Sequence, residues 1–296
     1  MFNSVNKYVS VLFVLSFLNF MIFALSGPGY QMGILHWLTG LLVIMKYTAY
    51  ISIPLIAVIV LGLIASNVSD KVELNVKSNR MLTIALIFPV IVLGLITSYV
   101  SDKVELNDKS KRMLTISLIF PVIVLVFVLY WKNTLSKYPY IHDITTDFDN
   151  PPQFSFAEEL RDNEAGSSPI TYDGSMKVER GPFTGTLSEL QKEHYPNISN
   201  FIVNKSISEL KNIIEAAMLG NGMKISGYNE DNFTIEGTET STFYGFTDDV
   251  AIRMSEVGGR EVLVDIRSKS RQGASDLGQN AKRIERLKAS ILSKVN

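Results

Sequence analysis

Long apolar segments in the first 131 residues constrain the fold of this chain more than any other feature of its sequence. Residues 8–26, which read YVSVLFVLSFLNFMIFALS, carry no charged side chain. An α-helix crosses the hydrocarbon core of a bilayer with about 20 predominantly apolar residues. The apolar segments therefore predict about four transmembrane helices, at residues 8–26, 47–65, 81–100 and 113–131.

The first apolar segment has a second interpretation, as a cleaved secretory signal. Lys7 precedes it, and the small residues Ala24 and Ser26 lie at its end. However, the segment is longer than the apolar region of an ordinary signal peptide, and further apolar segments follow it. We therefore interpret residues 8–26 as an uncleaved helix.

Residues 58–93 and 90–125 are a tandem repeat with a period of 32 residues, and the two copies differ at five positions. Each copy contains the charged loop SDKVELN and an apolar segment with a central proline, Pro89 or Pro121. If all four segments span the membrane, the two loops lie on opposite sides of it, although both loops are basic. The distribution of lysine and arginine therefore predicts no clear orientation.

After Trp131 the composition changes to that of a soluble protein. Residues 132–185 are rich in proline, glycine, aspartate and serine, which predicts an extended tether that lies on the following domain. Residues 186–296 predict an α+β fold, with a roughly four-stranded antiparallel sheet and two main helices. The upstream elements of this domain are predicted as helices at 187–194 and 207–219 and strands at 223–228 and 232–240.

The stretch at residues 245–286 carries most of the chain's unusual chemistry. Alternation from Asp249 onward predicts a strand, Gly258 and Gly259 predict a tight turn, and residues 261–267 predict a second strand. Ser275 is a good N-cap for a last helix that we predict from Asp276 to about Ser293.

The start of that last helix is the candidate ligand site. We expect Arg267, Arg271 and the backbone amides of residues 273–277 to converge there, and such a combination of donors favours an anion. The alternative is that aspartates of the stretch pair with its arginines and hold the loop to the sheet without a ligand. The candidate ligand-binding residues are Arg267, Arg271, Ser275, Asp276, Asn280, Asp248, Asp249, Arg253 and Asp265.

A second acidic group lies in the predicted tether. His142, Asp143, Asp147 and Asp149 resemble a metal-binding series, but the glycine turn and bidentate glutamate of a calcium loop are missing. The alternative is that these side chains cap local turns and fix the tether onto the sheet. The chain has no cysteine, three histidines, and no nucleophile elbow, P-loop or dinucleotide fingerprint. We therefore predict no metal and no cofactor.

Three motifs carry a resemblance to a known family: DDVAIRM, VDIRSKSRQGASDLGQNAKRI, and IHDITTDFDNPPQF at residues 141–154. Together they closely resemble the bacterial family known as domain of unknown function 1499, over about residues 138–293. The resemblance implies a membrane-associated or exported envelope domain, and it brings no known catalytic residues. It also implies a bacterial inner-membrane location with the soluble domain outside the cytoplasm.

Three classes of function follow from these features. We favour a membrane-anchored binding or structural module whose partners are the bilayer and another envelope protein or an anionic envelope component. One alternative is a hydrolase that uses carboxylates such as Asp248 and Asp265, and another is a transport or assembly subunit that acts through its membrane region. The net charge of -1 gives no indication of nucleic-acid binding.

Overall fold

The computed structural model describes residues 2–36, 38–68, 108–162 and 167–295, and the chain divides into two compact units, Met1–Lys132 and Asn133–Asn296. The predicted span at 81–100 and the repeated charged loops at residues 69–75 and 101–107 lie outside the described residues. The described helices of the first unit are α1 (Phe2–Ala24), α2 (Ser26–Gln31), a π-helical segment (Thr39–Ile44), α3 (Met45–Val68) and α4 (Asp108–Leu135), which extends past the boundary between the units.

Two helices among the described residues are long and apolar enough to cross a membrane. They cover Thr39–Leu63 and Asp108–Leu135, and a shorter apolar helix covers Tyr8–Ala24. In the most apolar 18-residue stretch of each helix, 28% of Thr39–Leu63 and 22% of Asp108–Leu135 is buried inside the protein. The core helix of a soluble protein is, in contrast, mostly buried. Both helices therefore suit an apolar solvent such as a bilayer.

A polar contact joins α1 to α3 inside the first unit. The side-chain amide of Asn19 donates to the carbonyl of Thr48 at 3.2 Å and to the hydroxyl of Ser52 at 2.9 Å. Both side chains, Asn19 and Ser52, are buried. Hydrogen bonds of this kind between apolar helices contribute about 0.6 kcal/mol each in a membrane, and they also fix the register of the two helices.

The described strands of the second unit are β1 (Asp143–Thr145), β2 (Lys177–Arg180), β3 (Phe183–Thr186), β4 (Phe201–Asn204), β5 (Lys224–Asn229), β6 (Thr234–Thr240), β7 (Thr247–Gly258) and β8 (Glu261–Ser270). Six of them form an antiparallel sheet in the order β1–β8–β7–β6–β5, with β4 also paired to β8. β1 and β4 follow one another along the same edge of β8, because Asp143 pairs with Lys269 whereas Phe201 pairs with Val264. β2 and β3 form a separate hairpin.

The α+β fold with an antiparallel sheet is confirmed, but the predicted number of four strands is too low. The two additional strands, β1 and β4, have three and four residues, which is too short for an alternating pattern to stand out. They are strands because β8, with ten residues, offers them an edge. The segment at 132–185, predicted as an extended tether, contains β1, a short helix α5 (Phe156–Asp162) and the β2–β3 hairpin.

One face of the sheet packs against the main helices and forms the apolar core. These helices are α7 (Ile207–Gly220) and α8 (Gln279–Val295), and a shorter helix α6 (Leu187–His194) precedes them. Both α6 and α7 begin with a capping box, in which Thr186 pairs with Glu189 and Ser206 with Glu209. Side chains of this core include Ile214, Met218, Ile252, Val264, Ile266, Ile284 and Leu287.

The opposite face of the sheet carries charged side chains. Successive residues of a strand point to opposite faces, so Asp265, Arg267 and Lys269 lie across the sheet from Val264, Ile266 and Ser268. Residues 146–162 and 167–172, which we call the cover, lie over this charged face. The cover is close-packed at Gly227, where an added Cβ atom would lie 2.5 Å from the ring of Phe156.

Candidate functional site

Arg267 lies at the centre of the charged face and is fully buried. Its Nε and Nη2 atoms donate to the two carboxylate oxygens of Asp143 at 2.9 and 2.8 Å, which is the bidentate geometry of a strong arginine–carboxylate pair. The guanidinium also donates to the carbonyls of Pro152 and Ile170. Among the described residues, the hydrogen bonds of this side chain all go to β1 or to the cover.

Asp143 is shared by two cations, because Lys269 donates to its Oδ2 atom at 2.7 Å. Burial opposes ionisation of Asp143, but Arg267 and Lys269 outweigh burial and hold the pKa of that carboxyl below its usual range. Asp143 is thus ionised and binds two cations of β8, so the cluster has a formal charge of +1. It ties the start of the second unit to the middle of the sheet.

A second buried carboxylate, Asp249, accepts from two arginines. Arg161 of α5 donates to it from Nε at 2.8 Å, and Arg271 donates from Nη2 at 2.8 Å. Arg161 also donates to the carbonyls of Ser168 and Lys269. These contacts hold α5 against the start of β7 and the end of β8.

Glu236 of β6 anchors the other end of α5. Its carboxylate accepts from the backbone amides of Phe156 at 3.1 Å and Ala157 at 2.9 Å, and from that of Ser155. These are the amide groups that the first turn of a helix leaves without an internal partner. Burial nevertheless raises the pKa of Glu236 above its usual range. A carboxylate from the sheet therefore caps a helix of the cover.

The start of α8 is capped by the chain itself. Asp276 accepts from the backbone amides of Gly278 at 2.9 Å and Asn280 at 2.7 Å, and burial raises the pKa of Asp276 to about 6. The helix begins at Gln279, three residues after the predicted start, because Leu277 and Gly278 have left-handed backbone angles of 56° and 76°. Asp276 thus stands where a bound anion was expected.

Three further candidates, Asn280, Asp248 and Ser275, lie beside this helix start. Asn280 donates to Ser270 and to the carbonyl of His142, and Asp248 accepts from Arg283 at 2.6 Å. Ser275 donates to the carbonyl of Pro139. These contacts hold the helix start to β1, β7 and β8.

The structure does not bring Arg267 to the start of α8. Ser268 and Ser270 face the helix, and the alternation of β8 therefore directs Arg267 to the other side of the sheet. Arg271 pairs with Asp249 on that same charged side. The sequence expectation placed these groups together because it considered their distance along the chain and not the face to which each points.

The remaining two candidates, Arg253 and Asp265, lie where the charged face becomes accessible. Arg253 donates from Nη2 to Asp265 and to Asp147, each at 3.0 Å. Asp265 is fully buried, and its Oδ1 atom accepts from the hydroxyl of Thr146. Despite partial burial, the backbone amides of Asn150 and Asp149, together with Arg253, hold the pKa of Asp147 below its usual range.

An open cleft of about 530 Å³ lies beside Arg253. Sequence reasoning missed it, because its lining comes from the turn before β6, from β7 and β8, and from the cover, and five of its residues lie outside the three motifs. The only sequence signal is the polar Asn232 beside an aromatic residue at the start of a strand. The cleft is lined by Asp147, Asn150, Asn232, Phe233, Arg253, Met254, Ser255, Glu256, Leu263 and Asp265.

Two polar atoms of the cleft residues are buried and have no hydrogen-bond partner in the part of the chain that the structure describes. They are Nε of Arg253, a donor, and Oδ1 of Asn232, an acceptor. Buried polar groups are paired in the large majority of cases, so two unpaired groups beside one cleft require an explanation. Both atoms have almost no solvent-accessible surface, so they lie in the packing behind the cleft and not on its surface.

The acidic residues do not assemble a metal site. Among the residues with a described position, no group of three histidine, aspartate or glutamate side chains is close enough to hold a metal ion. Instead, Asp143 binds Arg267 and Lys269, while Asp147 binds Arg253 and two backbone amides of its own turn. These two side chains fix the covering segment onto the sheet.

A protein family matches most of the second unit. The family described as "Protein of unknown function (DUF1499)" matches residues 143–291, which is half of the chain and includes β1, the covering segment and the whole six-stranded sheet. No curated protein matches the chain. The chain therefore belongs to the DUF1499 family, as its three motifs indicated.

Proposed function

We propose that the protein is a membrane-attached binding module and that its ligand occupies the cleft beside Arg253. The observation that carries this proposal is the open cleft of about 530 Å³ at the accessible end of the charged face, which is lined by Asn232, Arg253 and the 41% exposed ring of Phe233. Ligand sites combine an accessible cavity with a small number of convergent polar groups.

The buried carboxylates elsewhere on the charged face differ from the cleft, because they are already paired. Asp143 and Asp249 are buried and each accepts from two cationic side chains. Fully paired ionic groups of this kind hold segments together and leave no group for a ligand. The accessible end of this face, at Arg253, is where a ligand can enter.

Binding is favoured over hydrolysis by the state of the carboxylates beside the cleft. A general acid requires a raised pKa and contact with the substrate. The pKa of Asp147 is instead held low, and Asp265 is fully buried and already accepts from Arg253 and Thr146. The Asp248 carboxylate named with Asp265 in the hydrolase alternative lies on the other face of the sheet, paired with Arg283.

The proposed location is the bacterial inner membrane, with the soluble unit outside the cytoplasm and another envelope component as its partner. Two observations support membrane attachment: the apolar helices at Thr39–Leu63 and Asp108–Leu135, and their low burial inside the protein. The extracytoplasmic side follows from the family resemblance alone.

The binding proposal is tested with Asn232→Ala in the full chain, reconstituted in phosphatidylcholine nanodiscs. Because Oδ1 of Asn232 makes no hydrogen bond to the described residues, its removal should change the free energy of unfolding by less than about 0.5 kcal/mol. The matched control is Asn204→Ala, which removes an exposed asparagine on β4, outside the cleft.

The probes are chitotriose, maltotriose, spermidine and inorganic phosphate, which represent neutral, cationic and anionic chemistry. We expect at least one probe to bind and its affinity to fall about tenfold or more in Asn232→Ala but not in Asn204→Ala. The proposal is contradicted if no probe binds, or if every bound probe binds Asn232→Ala as tightly as the unchanged chain.

A further inference from the structure

The connection between β6 and β7, residues 241–246, contains three aromatic residues in the sequence STFYGF. Tyr244 is buried, and its ring contacts those of Phe243 and Phe246 at centroid distances of 4.9 and 5.4 Å. Phe243, in contrast, is 42% exposed. This connection, which we call the aromatic loop, therefore presents a large apolar residue at the surface of the second unit.

Backbone hydrogen bonds close the aromatic loop. The amide of Ser241 donates to the carbonyl of Phe246 at 2.8 Å, and the amide of Gly245 donates to the carbonyl of Ser241 at 2.9 Å. Gly245 has a left-handed φ of 71°, which a glycine adopts without steric cost and which lets the chain return into β7. The backbone of the loop therefore keeps Phe243 at the surface.

The aromatic loop lies at the end of the sheet where the chain enters the second unit. Asp248, the second residue of β7, pairs with Ser270 at the end of β8, and the amide of Ser270 donates to the carbonyl of His142. The ring of Tyr138, four residues before His142, packs so closely on Gly278 that an added Cβ atom there would lie 2.8 Å from it. The loop and the entering chain are therefore at the same end of the sheet.

The chain that enters here comes directly from a candidate membrane helix. Helix α4, which is apolar enough to cross a membrane, ends at Leu135, and Tyr138 is the third residue after its end. Three residues reach about 11 Å at most when they are fully extended. The β7–β8 turn lies at the opposite end of the twelve-residue strand β7, about 36 Å away. Chain length therefore keeps the end with the aromatic loop close to the membrane.

A second exposed apolar residue lies at the same end. Leu219 is 58% exposed and is the last residue but one of α7. β5 begins shortly after α7, at Lys224, and Lys224 pairs with Thr238 near the end of β6, where the aromatic loop begins. Phenylalanine and leucine side chains bury favourably at the boundary between lipid headgroups and acyl chains. Leu219 and Phe243 therefore both suit contact with a bilayer surface.

Basic side chains at this end match the phosphate groups of lipids. The carboxylates of Glu239 and Asp248 both accept from Arg283, so a cation of the protein already neutralises part of their charge. Exposed lysines close to a membrane are attracted to anionic headgroups. Three exposed lysines lie at this end, one before Tyr138, one at the start of β5 and one in the first turn of α8: Lys137, Lys224 and Lys282.

We propose that the aromatic loop rests in the headgroup region of the membrane to which the chain is attached, with Phe243 at the boundary of the acyl chains. Exposed Phe243, exposed Leu219 and the entry of a candidate membrane helix at one end of the second unit carry this inference. It rests on the membrane attachment proposed above, and it is independent of the ligand. The Arg253 cleft, whose lining includes Glu256 near the β7–β8 turn, then faces away from the lipid.

The test uses a nitroxide spin label on one introduced cysteine, because the chain contains no cysteine of its own. The full chain is reconstituted in nanodiscs of phosphatidylcholine and phosphatidylglycerol. Power-saturation EPR then compares the collisions of each label with oxygen, which concentrates in lipid, and with a water-soluble nickel chelate. The labelled variants are Phe243→Cys, Thr242→Cys, which keeps the Phe243 ring, and Val257→Cys, a 49% exposed control beside the β7–β8 turn.

We expect the ratio of oxygen to nickel collisions at residues 242 and 243 to exceed that at residue 257 about threefold or more. In the chain labelled at residue 242, Phe243→Ser should lower this ratio, because the loop loses its apolar contact with the lipid. Phe233→Ser is the matched control, because Phe233 is 41% exposed at the other end of β6 and its loss should leave the ratio unchanged. The melting temperature of each variant shows whether its fold is retained.

A label at Ile119→Cys, in the middle of α4, separates this inference from the membrane attachment on which it rests. If the label at residue 119 collides mainly with oxygen while those at 242 and 243 match residue 257, the attachment stands and the inference is overturned. If the label at residue 119 also collides mainly with nickel, the attachment and the inference both fall.

Discussion

Arg267 and Arg253 lie on the same face of the sheet, but their surroundings give them different roles. Arg267 is enclosed by Asp143, two carbonyls and the rings of Phe154 and Tyr172, whose centroids lie 4.9 and 5.4 Å from its guanidinium carbon. Arg253 is paired through one nitrogen only and faces a cleft. We therefore assign Arg267 to the scaffold and Arg253 to ligand binding.

The scaffold role of Arg267 predicts a large loss of stability in Arg267→Ala. This change leaves Asp143 buried without its bidentate partner, and breaking a buried pair costs about 3–5 kcal/mol. Urea denaturation of the full chain measures the loss. Arg260→Ala is the control, because its pair with Glu209 is exposed and screened by solvent, so its loss should change stability little. Equal losses for the two variants would contradict the assignment.

The Asp143 pair also predicts a pH dependence. The pKa of Asp143 in the folded chain is below its value in an unfolded chain, which is about 3.9. Its contribution to stability is therefore fully present above about pH 4 and is lost as the pH falls through the folded pKa. We expect Asp143→Asn to destabilise the chain strongly at pH 7 and much less at pH 2. A penalty independent of pH would show that Asp143 is not ionised in the folded state.

The sequence predicted some of this residue chemistry. The alternation of β8 correctly places Asp265 and Arg267 on one face, and aspartate–arginine pairs within the stretch were an explicit alternative to a ligand site. The partner of Arg267 was not foreseen, because Asp143 is 124 residues away along the chain. Local periodicity contains no information about such distant contacts.

At the level of elements, the cover of the charged face depends on one side chain. Glu236 caps α5 from the sheet, through the amides of residues 155–157. Helix α5 has seven residues, and a helix this short has little stability of its own in water. Tertiary contacts therefore hold it in place, and Glu236 is a main one.

Glu236→Ala should loosen the cover without unfolding the sheet. We expect hydrogen exchange at the amides of Ser155, Phe156 and Ala157 to become about tenfold faster or more, while the amides of β7 and β8 keep their protection. Glu285→Ala, at an exposed position of α8, is the control. Unchanged exchange at residues 155–157 would contradict the capping role.

Element prediction succeeded where a strong local signal exists. The helix at 187–194 has the predicted bounds, and the helix at 207–219 extends by one residue, because each begins with a serine or threonine cap and a glutamate three residues later. The β7–β8 hairpin has its predicted turn, with Gly258 and Gly259 at φ of 139° and 61°. Strands β1 and β4 lack such signals and exist through pairing with β8.

At the scale of the whole molecule, the chain combines an apolar helical unit with an α+β unit of the DUF1499 family. The side of the membrane on which the second unit lies is a proposal. The two repeated loops are both basic and would lie on opposite sides, so the distribution of lysine and arginine predicts no orientation. We expect a C-terminal alkaline phosphatase fusion in a bacterial host to be active, and a C-terminal green fluorescent protein fusion to be dark. The reverse result would place the soluble unit in the cytoplasm.

The central claim is that the charged face is closed scaffold except at the Arg253 cleft, where a ligand binds. A structure of the full chain determined with whichever of the four probes binds most tightly tests this claim most directly. We predict that the probe lies in the cleft, in contact with Asn232 and Phe233. A probe bound elsewhere on the protein, with the cleft occupied by water alone, would contradict the claim.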